Sequence, residues 1–406
     1  MSHSLLSLPF WAITVGLAVL YRLLSQHLPA FYKPILLTGI SIILIVGFFG
    51  GSAFLLPLTV WVAAIVSFAA FLQKLPMPLR QPLYLAALTA IVVAMILLKY
   101  PGYAHSLFGE FAPASPLGWL GLSFLAFRSI DLIALCRSGR LQSLSLAQAV
   151  AYLVYLPSFV AGPVNRFASF AQDLKTPPSK ITSDQLQEIA LQISIGIIKC
   201  IFLANFALYQ SILYTPLSSE ETTPIQVLVS LYFYYIYIYI DFSGYSDIAI
   251  GLSRLFGIRL PKNFNFPFLA TSIQDFWNRW HISLSHWFRD YVFFPLLRTI
   301  SVKMPALPGM IGAPISIFLT FLLVGAWHGD GINWLLYGAY HGAGLAAWSL
   351  WSQMFNRFYP NCYQHLTSSF VYRTISAIIT FNYVSLGLVL TLESHQVDTI
   401  RTIVFR

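Results

Sequence analysis

The chain reads as an all-α, polytopic membrane protein, and three observations predict it. It has 406 residues, of which 57% are hydrophobic and only 9% charged, against roughly 25% charged in soluble domains. Its mean hydropathy is +0.72. Several segments hold about 17–25 consecutive, predominantly apolar residues, enough to cross a hydrocarbon core of about 30 Å. A β-barrel is disfavoured, because barrel strands alternate over about ten residues and these runs are apolar on every side. About 10–12 transmembrane or re-entrant helices are expected, forming a single integral-membrane domain over residues 1–406.

In chain order, the first four spans are expected at residues 10–24, 34–49, 53–72 and 83–98, with Gly50–Gly51 as a tight turn. Arg22 and Lys33 flank the first loop and Lys74 and Arg80 the third, which puts both loops inside and the N-terminus outside. The N-terminal stretch lacks a basic leader region and a small-residue cleavage site, so it reads as the first helix. Residues 100–116 form a polar connection. The apolar segment 117–135 carries Arg128 and Asp131, three apart on one face, which predicts an ion pair inside the bundle. Segment 147–160 is short for a crossing and runs into GPVNRF, where Pro163 breaks the helix and Arg166 follows, as in a re-entrant or membrane-surface turn.

After a soluble-looking stretch at 172–188 come a span at 189–213 and another at 227–240 that continues toward Gly251. YFYYIYIYI has strand-like composition, but a lone strand in lipid leaves its backbone unpaired, so helix is predicted. Asp241, Gly244 and Asp247 follow at intervals of three, on a face turned away from lipid. Residues 273–291 read as one amphipathic helix, with Trp277, Trp280, His281, Leu284 and Trp287 as its stripe and Pro295 as its end. The last spans are expected at 315–324, 334–350 and 372–392, followed by a short charged tail.

The net charge of +9 does not imply nucleic acid, since Lys and Arg are scattered singly through short loops. Cys136, Cys200 and Cys362 stand apart without CxxC spacing and read as buried small hydrophobes. Ionisable groups set into apolar segments are costly, and they are the candidates for chemistry. His341 lies mid-helix beside Gly338, Gly342 and Gly344, which allow another helix or a bound chain to approach closely. So apolar a setting favours the neutral imidazole that a general base needs; a structural, hydrogen-bonding histidine is the alternative. His281 sits on the amphipathic helix, His328 lies in WHGDG just outside a span, and His286 reads as a surface residue. His281, His328, His341 and Asp247 lack the spacing of a metal motif such as HExxH, so no metal is expected, and no GxSxG elbow is present.

A base at His341 would take a proton from a hydroxyl, whose oxygen would attack an activated acyl group, most economically a thioester. The two substrates would meet there from opposite sides of the bilayer, with Asn278 or His281 as donor to the tetrahedral oxyanion. A non-catalytic transporter, or a scaffold of a polysaccharide secretion complex, is the competing class, and it would tolerate loss of His341.

DFSGYSDIAIGL, the run IQDFWNRWHISLSHWFRDYVFFPL and GAWHGDGINWLLYGAYHG together resemble the membrane-bound O-acyltransferase family. Within it they resemble the bacterial branch that contains alginate O-acetylation and teichoic-acid D-alanyl transfer proteins. The likeness covers residues 159–348, and the N-terminal spans match only in character. It implies a ring of tilted helices around a thin central region, with a funnel on each face. It also implies catalytic roles for His341 and His281, and a site shaped by Asn278, Trp280, Arg289, Asp247, Trp327, His328 and Arg166. The implied protein is a multi-pass component of the plasma (inner) membrane with no bound cofactor. Its co-substrate would be an acyl thioester such as acetyl-CoA or an acyl carrier protein. Its partners would be membrane lipid, an exported polysaccharide or envelope polymer, and a carrier protein or periplasmic acyl-transfer partner. GYSD and the long tryptophan-rich run resemble the alginate type, although Pro295 is followed by LLRT where those members continue PLGG. GPVNRF resembles the D-alanyl type. Acetylation of an exported polysaccharide is the first expectation and D-alanylation the second.

Overall fold

Helices make up the regular structure of the computed structural model, which describes residues 8–49, 55–100, 102, 106, 121–176, 181–214, 222–305 and 309–404. No β-strand occurs among these residues. Six helices among the described residues are long and apolar enough to cross a membrane: Leu55–Lys74, Met77–Lys99, Ser183–Gln210, Pro224–Leu255, Met310–His328 and Phe370–Thr391. Leu56, Val60, Ile378 and Ile379 on these helices are exposed, an outward apolar surface of the kind lipid covers. The protein is therefore an all-α polytopic membrane protein. The Gly50–Gly51 turn and nearly all of the 100–116 connection lie outside the described residues.

The chain divides into two compact units. One comprises Met1–Ile198 with Gly244–Pro261, the other Lys199–Ser243 with Lys262–Arg406. The first contains α1 (Leu8–Ser25), α2 (Tyr32–Phe49), α3 (Leu55–Lys74), α4 (Met77–Lys99), α5 (Leu122–Arg137), α6 (Leu146–Val154), α7 (Phe167–Lys175) and α8 (Ser183–Ile198). The expected Arg128–Asp131 ion pair does not form. Helix α6 ends at Val154, well before the break predicted at Pro163, and a 3-10 turn at Leu156–Ser158 leaves carbonyls without helical partners. Arg128, only 1% exposed, donates to the carbonyls of Tyr152 at 3.0 Å, Leu153 at 3.1 Å and Tyr155 at 3.2 Å, and to Ser158 Oγ at 2.6 Å. Asp131 caps the next helix instead. It accepts from Phe167 N at 2.7 Å and Tyr152 OH at 2.9 Å, and pairs with Arg166 at 3.3 Å. Each charge stabilises an end of the broken segment, and such unpaired helix-end groups are the stronger claim on a buried ion.

The second unit contains the π turn Lys199–Leu203 and α9 (Ala204–Gln210), then the first part of α10 (Pro224–Leu255). At 32 residues, α10 bears out helix over strand for the tyrosine-rich run. The single amphipathic helix expected over 273–291 is instead α11 (Ile273–Arg279) and α12 (Ile282–Phe288), followed by a π turn at Arg289–Phe293. Pro295 does not end it either, for it occupies the first turn of α13 (Phe294–Lys303), where a missing N–H costs nothing. Then come α14 (Gly309–His328), α15 (Ile332–Phe358), α16 (Pro360–Ser368), α17 (Phe370–Gly387) and α18 (Ser394–Val404). Helices α16 and α18 were not foreseen, and Cys362 on α16 is exposed rather than buried.

The α14–α15 hairpin is packed backbone to backbone. A Cβ at Gly325 would stand 3.1 Å from the Cα of Gly338, and one at Gly342 would stand 3.0 Å from Phe321 Cβ. Small residues are what allow helices to cross this closely.

Candidate active site

His341 is fully buried on α15, and neither Nδ1 nor Nε2 has a hydrogen-bond partner among the described residues. Its ring is enclosed edge-on by Tyr337 at 4.6 Å, Trp277 at 5.4 Å, Tyr340 at 5.4 Å and Tyr383 at 5.9 Å between centroids. Tyr340 and Tyr383 stack at 4.3 Å and bond reciprocally, each hydroxyl donating to the other's carbonyl at 2.9 and 2.6 Å. That lock joins α15 to α17 beside the histidine. On the same side, a Cβ at Gly387 would lie 3.0 Å from His341 Nε2, so only glycine leaves that nitrogen its space. Trp277 Nε1 is likewise buried without a partner among the described residues. Buried polar atoms are normally satisfied, and an orphan needs a reason. Here an orphaned acceptor ring and an orphaned indole N–H sit together in an aromatic cage.

His281 is placed differently. It falls in the gap between α11 and α12 with φ 43 and ψ 49, in the left-handed region. The backbone turns there because 263–265 pairs across it: Asn265 N donates to Arg279 O at 2.9 Å and Ile282 N to Asn263 O at 2.9 Å. Asn263 Oδ1 then meets His281 Nδ1 at 3.1 Å, Ser283 Oγ at 2.8 Å and Ser283 N at 3.4 Å. The backbone N–H of Ser283 can only donate, which fixes that Asn263 atom as the oxygen and makes Nδ1 the protonated nitrogen. The neutral ring therefore presents Nε2 as an acceptor. Burial first, and the charge of His328 second, push the His281 pKa down to about 3, so the ring is neutral at neutral pH. Phe242 packs edge-on against it at 4.6 Å. Replacing Asn263 with alanine strands the Nδ1–H, and we expect a loss of about 1–3 kcal/mol of stability, read as a lower Tm in detergent; an unchanged Tm contradicts this account of the turn.

Trp280 turns into a cluster with Phe276, Tyr235, Tyr239 and Phe264. Asn278, His286 and Arg289 line a cavity of about 230 Å³, together with Trp277, Phe321, Leu345 and the neighbouring faces of α12 and α14. Arg289 also reaches Asp290 at 3.2 Å. Trp277 packs on Phe321 at 4.8 Å, and both line the cavity, so the Trp277 ring belongs both to the cage around His341 and to the cavity wall. His328 is the last residue of α14 rather than a loop residue. It stacks on Trp334 and meets Trp327 at 4.5 Å and Tyr337 at 5.9 Å. Tyr337 thereby links His328 to His341.

Arg166 and Asp247 belong to the first unit, Arg166 in its pair with Asp131 and Asp247 half-buried on α10. The cage residues Tyr337, Tyr340, Tyr383 and Gly387, and the Asn263 anchor, were not anticipated. Tyr337 and Tyr340 precede His341 by four and one on a helix, a spacing that was legible; Asn263 becomes visible only once 263–265 pairs with the break.

The model of the membrane-bound O-acyltransferase family matches residues 119–390. A teichoic acid D-alanyltransferase of Bacillus subtilis (strain 168) is 30% identical over 333 residues, 81% of this chain and 82% of that protein. The Streptococcus thermophilus protein of the same description is 33% identical over 228 residues, 54% of each chain. A probable alginate O-acetylase of Pseudomonas syringae pv. tomato is 34% identical over 217 residues, 53% of this chain and 40% of that protein.

Proposed function

The chain belongs to the membrane-bound O-acyltransferase family, and from that premise we propose that it moves a small acyl group from a thioester donor to hydroxyls of an exported envelope polymer. The observation that carries this reading is His341, wholly buried, whose two nitrogens and the nearby Trp277 N–H have no partner among the described residues. Residues 159–348 are the region to which we assign the activity, within a single integral domain of the plasma membrane.

In this mechanism the acceptor hydroxyl donates to one His341 nitrogen, which takes the proton as the oxygen attacks the thioester carbonyl. The new C–O bond forms, the carbonyl π pair moves onto oxygen, and the tetrahedral oxyanion accepts from the Trp277 N–H. Collapse expels the thiolate, which recovers the proton from the His341 imidazolium. His281 is poorly suited to donate to the oxyanion, because its one proton is committed to Asn263. It is the better fit as an acceptor that orients a hydroxyl, while Asn278 and Arg289 suit the polar part of a donor in the cavity beside Trp277.

Acetyl is the first reading, from the tryptophan-rich motif. A specific observation favours D-alanyl as the second: the match to the Bacillus protein runs along 81% of this chain, whereas that to the Pseudomonas protein covers 53%. The test is a deletion strain complemented with wild type, His341→Ala or His341→Gln, each at normal membrane levels, with ester-linked groups on exported polymers read by mass spectrometry. We expect an ester that is lost on deletion and restored by wild type alone, its mass naming the group. Full rescue of the deletion by both variants overturns the catalytic reading in favour of a scaffold or transporter.

A further inference from the structure

Within the first unit, a cavity of about 410 Å³ opens where α1 ends and α2, α8 and the end of α10 converge, with Arg22, Lys33, Asp173, Gln185, Arg254 and Arg259 in its wall. Two of the four cations already have carboxylates. Arg259 is held by Asp173 through Nη2 at 2.6 Å, Nε at 2.8 Å and its backbone N at 2.8 Å, and Arg254 meets Glu188 at 2.8 Å. Arg22 donates to the carbonyls of Arg254 and Leu255 at 3.3 and 3.2 Å, at the end of α10, the helix pole that favours a cation.

Lys33 has no such answer. It is 7% exposed, and its ammonium makes no hydrogen bond or ion pair with any described residue. It is also the second residue of α2, at the positive pole of the helix, where a cation is disfavoured. An ammonium on a largely buried side chain at a helix N-terminus, with no counter-charge of its own, is costly unless an anion joins it.

We propose that this cavity binds a phosphate group. A tetrahedral phosphate offers several acceptor oxygens, enough to meet the Lys33 ammonium and the arginine forks around it together. Leu23, Leu24, Phe31 and Tyr32 beside it are exposed, so acyl chains of a phospholipid would find apolar surface next to the site. Basic pockets at helix ends are suited to such headgroups. The same chemistry would also accept a soluble phosphate.

The test uses the purified full-length protein in nanodiscs of phosphatidylcholine doped with phosphatidylglycerol, with retained lipid counted by native mass spectrometry and inorganic phosphate as the soluble probe. We expect selective retention of phosphatidylglycerol, weakened about fivefold by Lys33→Gln, the worth of one basic residue near an anionic headgroup, and restored by Lys33→Arg. Binding of inorganic phosphate that depends on Lys33, without preference between the lipids, assigns the site to a soluble source. Absence of both, or Lys33→Gln binding as wild type does while sharing its Tm, overturns the proposal. The readout is binding alone, so it stands or falls separately from acyl transfer.

Discussion

In purified enzyme, His341→Gln lowers kcat by about 10²–10⁴-fold, the range a general base contributes, with KM little changed. Glutamine keeps most of the ring's volume and its capacity to hydrogen-bond, and it cannot take up a proton. Because His341 is enclosed by Tyr337, Trp277, Tyr340 and Tyr383, no water-exposed group is placed to substitute for it. A base acts in the transition state and not in the ground state, so kcat and kcat/KM fall together. His341→Ala behaves likewise, with an added cost from the space it leaves. A variant with normal kcat and raised KM contradicts the role of base and makes His341 a binding residue.

What was legible in advance follows from which forces are local. Spans are legible because lipid requires runs of apolar residues whatever their neighbours, and the tyrosine-rich α10 was assigned as helix on that ground against its own β propensity. His341 stood out by the same contrast, one titratable ring in an apolar helix. The break at His281 was hidden, because periodicity over 273–291 fits one helix. What interrupts that helix is a backbone pairing to 263–265, distant in sequence. Arg128 and Asp131 show a second limit. Their spacing satisfies an intrahelical pair, yet each is drawn off by unpaired backbone groups of a segment that begins some twenty residues on. Local spacing states which partners are within reach, and the tertiary fold decides which need is greater.

Gly338→Leu is expected to be the most damaging single substitution in the α14–α15 hairpin. A Cβ at position 338 would press on the carbonyl of Phe321 and stand 3.1 Å from the Cα of Gly325. Both are backbone atoms that cannot swing aside as a flexible side chain would, so the helices must separate. Overpacking of this kind costs about 1–3 kcal/mol and occasionally more. The separation would also move Phe321 and Val324 away from Leu345, opening the cavity wall, and would shift His341, which lies three residues further along α15. Gly16 supplies the contrast, since a Cβ there meets no atom of the described residues within 4 Å. Gly16→Ala should leave Tm unchanged or raise it by the gain of about 0.5–1 kcal/mol that alanine brings to a helix interior. Thermal unfolding of the two variants in one detergent checks both. If Gly338→Leu unfolds at the wild-type temperature and keeps its activity, the close crossing is not what holds the histidine in its cage, and the Tyr340–Tyr383 lock between α15 and α17 must carry that role.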